Sequence, residues 1–386
     1  MRVLHIISSG GMYGAEAVIL NMSRTLNEGP HRSTLGVFSN SSKPNLQLHE
    51  SASREGIESH LIPCKGRLDR TAIRRIRELA AQAGADVVHA HGYKADLYVY
   101  FALRGSNIPL ISTCHTWYNH DPKDHFFGVV DRLILRSYGS IVAVSEGVRE
   151  QLLSAGVRAD KISMIRNGID LRTFDRASVV LKDELGWSGC PLVGLVGRLS
   201  MEKGVDIFLT AAARVLDHLP IAKFVVVGDG PDRTKLDALI DELGIRGNVR
   251  MLGRRDDMPA VYASLDLMVS SSRREGLPMA ILEGMASRLP LIATPVGAVP
   301  TVVLDGRTGV LIPAEAPELL ATGIIELLRD DALRQRLGSA ARQLVEDQFS
   351  AQRMTADYLR VYEAAAASAA KRQGRRGKSS IGPRGN

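Results

Sequence analysis

The chain has 386 residues, 45% hydrophobic and 24% charged, with three cysteines and a formal charge of +7. That length suits two domains, and the composition is that of a soluble globular protein with no apolar run near the roughly 20 residues a membrane-spanning helix needs. Cys64, Cys114 and Cys190 are too few and too scattered for a disulfide framework or a Cys-rich zinc site.

The first segment, MRVLHIISSGG, lacks a signal-peptide core and cleavage site, so it reads as a first strand of a cytoplasmic protein. Short buried-type strands are predicted at 3–7, 34–38, 86–90, 109–113 and 140–145. A second series follows at 191–197, 223–230, 248–253, 266–271 and 290–297. Continuous apolar runs of this length, separated by helical patterns, predict parallel sheets built from βαβ units. The weakly periodic stretch 168–188 marks the junction. The reading is therefore α/β: a Rossmann-like domain over 1–170, a second over 171–348, a helix over 349–365 with Met354, Tyr358, Val361 and Tyr362 on one face, and a basic tail over 366–386. Lys371, Arg372, Arg375, Arg376, Lys378 and Arg384 all follow the last acid, Glu363, and removing these six leaves +1. A nearly neutral body argues against a nucleic-acid partner. The tail is expected to be disordered, either simply solvated or in peripheral contact with anionic membrane.

Ligands of such sheets bind beyond the carboxyl ends of the strands, and a cleft between the domains is the expected place. After the first strand, SSGGMYG offers Gly10, Gly11 and Gly14 for close backbone approach to an anion, or for a tight turn alone. The helix over RLDRTAIRRIRELAAQAG has Asp69 as its N-cap, an apolar stripe of Ile73, Ile76 and Leu79 or Ala80, and a face of arginines that is solvated or lies near a membrane or acidic acceptor. His89 and His91 end a strand on one face as an H-x-H pair of the kind that can bind zinc, but no matching Asp, His or Cys cluster is expected to complete a site with normal ligand count. His115 follows another strand, where it serves a sugar hydroxyl or a developing charge, or is structural. Trp117 and Tyr118 follow it as stacking surface.

In the second half, VGRLSMEKG places Arg198 and Lys203 after a buried strand between Gly197 and Gly204. A planar fork and a point charge can hold a diphosphate, although solvated loop charges are the plainer reading. The spacing fits neither a Walker loop nor, in SSGGMYG or VGDGPDR, a nicotinamide fingerprint. EGLPMAILE puts Glu275 before a helix and Glu283 inside it. Eight helical residues would span roughly 12 Å, beyond the roughly 5–9.5 Å of glycosidase carboxylate pairs. Two separate roles are expected, with the free N–H groups of Met279 and Ala280 between them for phosphate or sugar oxygens.

Taken together, HAHG, CHTW, AVSEGV, RNGID, GRLSMEKG, VGDGP, the Glu-x7-Glu of EGLPMAILE and TPVGAVPTVVLDGRTGVLIP resemble the GT4 glycosyltransferases over residues 1–365. The resemblance implies a GT-B fold whose last helix returns to the first domain. It implies metal-independent, retaining transfer from a nucleotide-sugar donor, with no cofactor, to a glycan or lipid-linked acceptor in cell-surface polysaccharide synthesis. It carries the diphosphate to Arg198 and Lys203, the ribose to Glu283, and the donor sugar near C3 or C4 to Glu275. The base goes to backbone around Arg254, the phosphates to Gly11, and the sugar O6 to His115. The departing phosphate would deprotonate the acceptor. This sequence departs from the family in reading E-G-L-P for E-x-F-G and Gly284 for Ala, and the loop 119–128 is expected to choose the acceptor. A nucleotide-sugar 2-epimerase of the same architecture would form epimer without acceptor, and a non-catalytic binding protein would bind nucleotide without turnover.

Overall fold

The computed structural model describes residues 1–9, 11, 14–40, 45–65, 68–115, 134–276 and 279–379, with side chains to 371. It divides into two units, Met1–Gly168 with Ala351–Asn386, and Ile169–Ser350. The sequence boundaries of 170/171 and 348/349 thus fall at 168/169 and 350/351.

Unit 1 is a seven-stranded parallel sheet of β1 (Arg2–Ile7), β2 (Arg32–Asn40), β3 (Glu58–Cys64), β4 (Val87–His91), β5 (Leu110–Cys114), β6 (Ser140–Ala143) and β7 (Ile162–Met164), in the order β3-β2-β1-β4-β5-β6-β7. The chain builds outward from β1 through β2 to β3, then returns to the other side of β1 with β4. Helices α1 (Gly14–Glu28), α2 (Gln47–Arg54), α3 (Arg70–Gln82), α4 (Tyr93–Leu103) and α5 (Glu146–Ser154) connect the strands. Asp69 caps α3 by accepting from the Thr71 N–H at 2.8 Å, and Ala72, Ile76, Leu79 and Ala80 form the buried stripe. Ile73 only flanks that core. Arg77 is not merely solvated, since its Nε donates to the Ala102 carbonyl at 2.8 Å.

The chain returns to unit 1 in α14 (Ala351–Ser379), whose Met354, Tyr358 and Tyr362 are buried while Val361 is half-buried. Met354 Sδ accepts from the Gly168 N–H at 3.1 Å, which fastens the helix beside the end of the first segment. The expectation of disorder from residue 366 is corrected over 366–379, where the helix continues. The run AAAASAAKRQ is rich in strong helix formers, and their propensity outweighs the charge and glycine content that argued for a coil. Residues 380–386 lie outside the described residues.

Unit 2 begins with two short helices, α6 (Arg172–Asp175) and α7 (Leu181–Glu184). Its six parallel strands are β8 (Leu192–Val196), β9 (Lys223–Val227), β10 (Val249–Gly253), β11 (Leu267–Ser270), β12 (Leu291–Ala293) and β13 (Val310–Leu311), ordered β10-β9-β8-β11-β12-β13. The same reversal recurs between β8 and β11. Helices α8 (Val205–His218), α9 (Arg233–Glu242), α10 (Met258–Ser264), α11 (Met279–Ala286), α12 (Pro317–Arg329) and α13 (Asp331–Gln348) complete the unit. Its sheet is sandwiched: Val193, Leu195, Phe224 and Val226 face α8 and α12, while Val225, Val227, Met268 and Leu291 pack with α10, α11 and α13. Among the described residues no helix is long and apolar enough to cross a membrane.

Candidate active site

In an open parallel sheet, the loops at the reversal of strand order diverge and leave a crevice at the carboxyl ends. In unit 2 that point lies between β8 and β11. Leu195 pairs with Val269, so the loops after Val196 and Ser270 leave adjacent strand ends. This register explains why residues 72 positions apart meet: Lys203 Nζ donates to Glu275 Oε1, which also accepts from Ser272 Oγ at 2.8 Å. The pair is largely shielded, with the Glu275 side chain 8% exposed and that of Lys203 24%.

Backbone contact makes this approach possible. Gly204 sits at φ 60°, and a Cβ there would stand 2.0 Å from the Ser271 carbonyl oxygen, so only glycine fits. Ser271 Oγ donates to the Gly204 carbonyl at 2.8 Å. Gly228, at φ 134°, is similarly pressed against the Gly197 oxygen. The glycines of VGDGP therefore seat one βα loop on another, with the Leu199 N–H bonded to Asp229 O at 3.1 Å and the Asp232 N–H to Leu199 O at 3.1 Å. Arg273 clamps the same loop, donating to both Asp206 oxygens at 2.8 Å and to Glu315. Hydrogen bonds from Arg273 hold the Asp206 carboxyl below its usual range.

Arg198 is exposed one residue past Gly197. The Ser200 hydrogen bond, chiefly, and Arg198 nearby depress the Glu202 carboxyl. Arg254 is exposed after β10, two strands from β8 at the same carboxyl end of the parallel sheet.

Glu283 lies in α11 and accepts from the Tyr262 hydroxyl at 2.7 Å. Burial pushes its carboxyl above the usual range, and the Tyr262 bond partly opposes this. Burial first, then the carboxylate, pushes the Tyr262 phenol well up. Glu275 and Glu283 therefore have unrelated partners. Tyr262, which the sequence did not single out, is the partner that orients Glu283. Met279 and Ala280 open α11, half-buried; Leu277 and Pro278 lie outside the described residues. Gly284 faces β11, where Met268 Sδ lies 2.5 Å from the place of a Cβ, so a bulky neighbour fills the space left by the missing methyl.

In unit 1 the reversal lies between β1 and β4, and it is lined by imidazoles. His5 pairs with His89, and Ile7 with His91. His5 Nδ1 and His91 Nε2 are 3.1 Å apart, and His91 Nδ1 and His115 Nε2 3.3 Å. His89 bonds to the Tyr362 hydroxyl through Nδ1 and to Thr113 Oγ1 through Nε2, both at 2.7 Å. Burial lowers all four: His5 to about 3, His115 to about 4, and His89 and His91 well below the usual value. The expectation that nothing joins the His89–His91 pair is corrected. His5 does, and nitrogens of the three lie within 4.8 Å of one another. Sequence separation hid this partner, since β1 and β4 meet only through the sheet order. The Ser9 hydroxyl donates to the Gly11 carbonyl at 3.0 Å in the loop before α1. Gly10, Trp117, Tyr118 and the loop 119–128 lie outside the described residues.

Comparisons with known proteins identify the family and the fold. The family description "Glycosyltransferase Family 4" matches residues 12–173, and "Glycosyl transferases group 1" matches 181–344. The chain is 30% identical over 284 residues to a D-inositol 3-phosphate glycosyltransferase from Corynebacterium glutamicum, covering 66% of this chain and 67% of that protein. It is 27% identical to the N-acetyl-alpha-D-glucosaminyl L-malate synthase of Bacillus anthracis, covering 83% and 84%. Among solved structures, Anabaena HepE in complex with UDP-glucose superposes with a TM-score of 0.77 at 22% identity, over 94% of this chain and all of that one, which shows the shared GT-B fold. The chain belongs to the GT4 family of glycosyltransferases.

Proposed function

We propose that this glycosyltransferase moves a sugar from a nucleoside diphosphate sugar to an acceptor hydroxyl, with retention at the anomeric carbon and without a metal ion. The carrying observation is the Lys203–Glu275 pair at the β8/β11 reversal, with Arg198 on the same loop. A diphosphate held there meets Lys203, fixed by Glu275, and the exposed Arg198, two cations that offset the charge developing on the leaving group. Glu275 then has one oxygen engaged by Lys203 and Ser272 and the other available to a sugar hydroxyl. Glu283, oriented by Tyr262, presents its second oxygen to the ribose. With both carboxylates so engaged, neither serves as a base, and the departing phosphate takes the acceptor proton.

UDP-sugars are the first donors to test, because HepE is described in complex with UDP and UDP-glucose. Relatives whose names carry L-malate and D-inositol 3-phosphate put small polar acceptors beside glycans and lipid-linked sugars. Contact of the basic C-terminal segment with anionic lipid, at the cell-surface stage of glycan assembly, belongs to the same reading.

Calorimetric titration of UDP and UDP-sugars tests it. Lys203→Ala is expected to weaken binding at least about tenfold, the effect of removing a charge-assisted contact. Equal affinity in wild type and variant would overturn the assignment. Turnover that persists in EDTA and a product with the donor's anomeric configuration are the expected results, and inversion or loss on chelation contradicts the mechanism.

A further inference from the structure

The three imidazoles His5, His91 and His115 form one hydrogen-bonded line. Their N···N distances are 3.1 and 3.3 Å, and the ring centroids are 5.3 and 5.6 Å apart. Those separations are close to the largest that the N···N distances allow, so the bonds run nearly along the ring planes rather than between stacked faces. At each end one nitrogen is buried with no partner among the described residues: His5 Nε2 at the inner end and His115 Nδ1 at the outer.

A neutral imidazole carries one N–H and one bare nitrogen. Each link needs a donor on one side and an acceptor on the other. The line therefore has only two states, with every N–H pointing outward or every N–H pointing inward. In either state one end bears an N–H without a partner. A buried unpaired N–H is the costlier orphan, and an unpaired acceptor is better tolerated. The inner end, on fully buried His5, has no route to a partner. The outer end belongs to His115, just past β5, which is half-buried as a residue although its Nδ1 is covered.

We propose that His5 and His91 are positioning residues that fix the tautomer of His115, so that it presents a neutral Nδ1–H donor outward. His5 Nδ1–H donates to His91 Nε2, and His91 Nδ1–H donates to His115 Nε2. The proton on His115 is thereby held at Nδ1. Burial keeps all three rings uncharged, so the device works by direction of hydrogen bonding and not by charge. The ligand it suits is an acceptor oxygen, a sugar hydroxyl or phosphate. That use rests on the function proposed above, whereas the tautomer does not. His89 stands outside the line, because hydroxyls of Tyr362 and Thr113 occupy both its nitrogens.

The test is long-range 1H–15N correlation on the full chain with 15N-labelled histidine, which distinguishes protonated from bare ring nitrogens without substrate. The expected result is Nδ1–H with bare Nε2 for His5, His91 and His115. Protonation of His115 on Nε2 overturns the proposal. So does stoichiometric loss of the His5 and His91 N–H signals on adding Zn2+, which would make the cluster a metal site. Two variants separate positioning from bulk: His91→Asn keeps an N–H toward His115 and His91→Leu does not. His91→Leu is expected to give mixed His115 tautomers and about a tenfold lower kcat with UDP affinity held within about twofold, and His91→Asn to recover most of it. Equal kcat in both variants counts against the proposal. If His91→Leu does not fold, the wild-type spectrum still decides. If UDP fails to bind the wild type, the donor-site reading fails and the tautomer result stands.

Discussion

The β1/β4 reversal of unit 1 and the β8/β11 reversal of unit 2 are the same topological feature, yet their side chains are opposite in kind. The first is lined by four neutral imidazoles and two tyrosines in hydrogen-bonded contact. The second is lined by ion pairs, Lys203–Glu275 and Arg273 with Asp206 and Glu315. Topology provides the crevice, and the residues at the strand ends decide its chemistry. Charged groups line unit 2, while directed dipoles without net charge line unit 1.

The largest expected effect that separates the two is acid sensitivity. The four unit 1 histidines have native pKa values depressed by burial. The stability they contribute is complete above the unfolded value near 6.5 and is lost as pH falls toward the native values of about 3 for His5 and about 4 for His115. In that window only the unfolded chain takes up protons. Each imidazole contributes up to about 1.4 kcal/mol per pH unit, so four together set a ceiling of about 5 kcal/mol per unit. Unit 2 has the opposite sign at Glu283. Its raised carboxyl favours the fold below the unfolded carboxylate range and loses that contribution as pH rises through the native value. Segment-resolved hydrogen exchange at about pH 7 and about pH 5 checks this, since protection follows local stability. Protection should fall in β1, β4 and α14 and hold in β8 and β11. The reverse pattern would break the comparison.

A smaller effect belongs to unit 2 alone. Tyr262→Phe removes the hydroxyl that orients Glu283 and leaves a buried carboxylate oxygen without its donor, at a cost of about 1–3 kcal/mol. The Glu283 pKa should rise further, because the lost bond was lowering it. Carboxyl 13C titration reads the shift and calorimetry reads a weaker nucleotide interaction. An unchanged Glu283 titration would show that the phenol does not orient the carboxylate.

These contrasts show what the sequence exposes. Interior strands were legible because they are buried on both faces and read as apolar runs. The strands missed, β3, β7 and β13, all lie at sheet edges. The run ESHLIPC of β3 is largely half-exposed, ISM of β7 has no buried residue, and β13 has only two residues. The residues that line the unit 2 reversal could be grouped from sequence because one loop carries Arg198 with Lys203 and one segment carries Glu275 with Glu283. His5 was not, since nothing near VLHII hints that HAH lies beside it. Tyr262 was hidden for the same reason, in a helix 21 positions before Glu283.

The smallest effect concerns Gly284, where this chain departs from the alanine its family resemblance favours. Within α11, alanine for glycine is worth about 1 kcal/mol in helix propensity. Here the new methyl would arrive 2.5 Å from Met268 Sδ, inside contact distance. Overpacking usually costs about 1–3 kcal/mol, but a methionine tip is flexible and can yield, which places the cost near the lower end. Gly284→Ala alone should therefore change stability by less than about 1 kcal/mol, the two terms nearly cancelling. Shortening the neighbour tests the cancellation. On the Met268→Val background the clash is gone, and Gly284→Ala should now stabilise by about 1 kcal/mol. A denaturant double-mutant cycle measures this coupling directly. Additivity within about 0.3 kcal/mol would mean that the two side chains do not compete for one space. In that case the pairing of Gly284 with Met268 would not be the reason this contact between α11 and β11 tolerates a glycine.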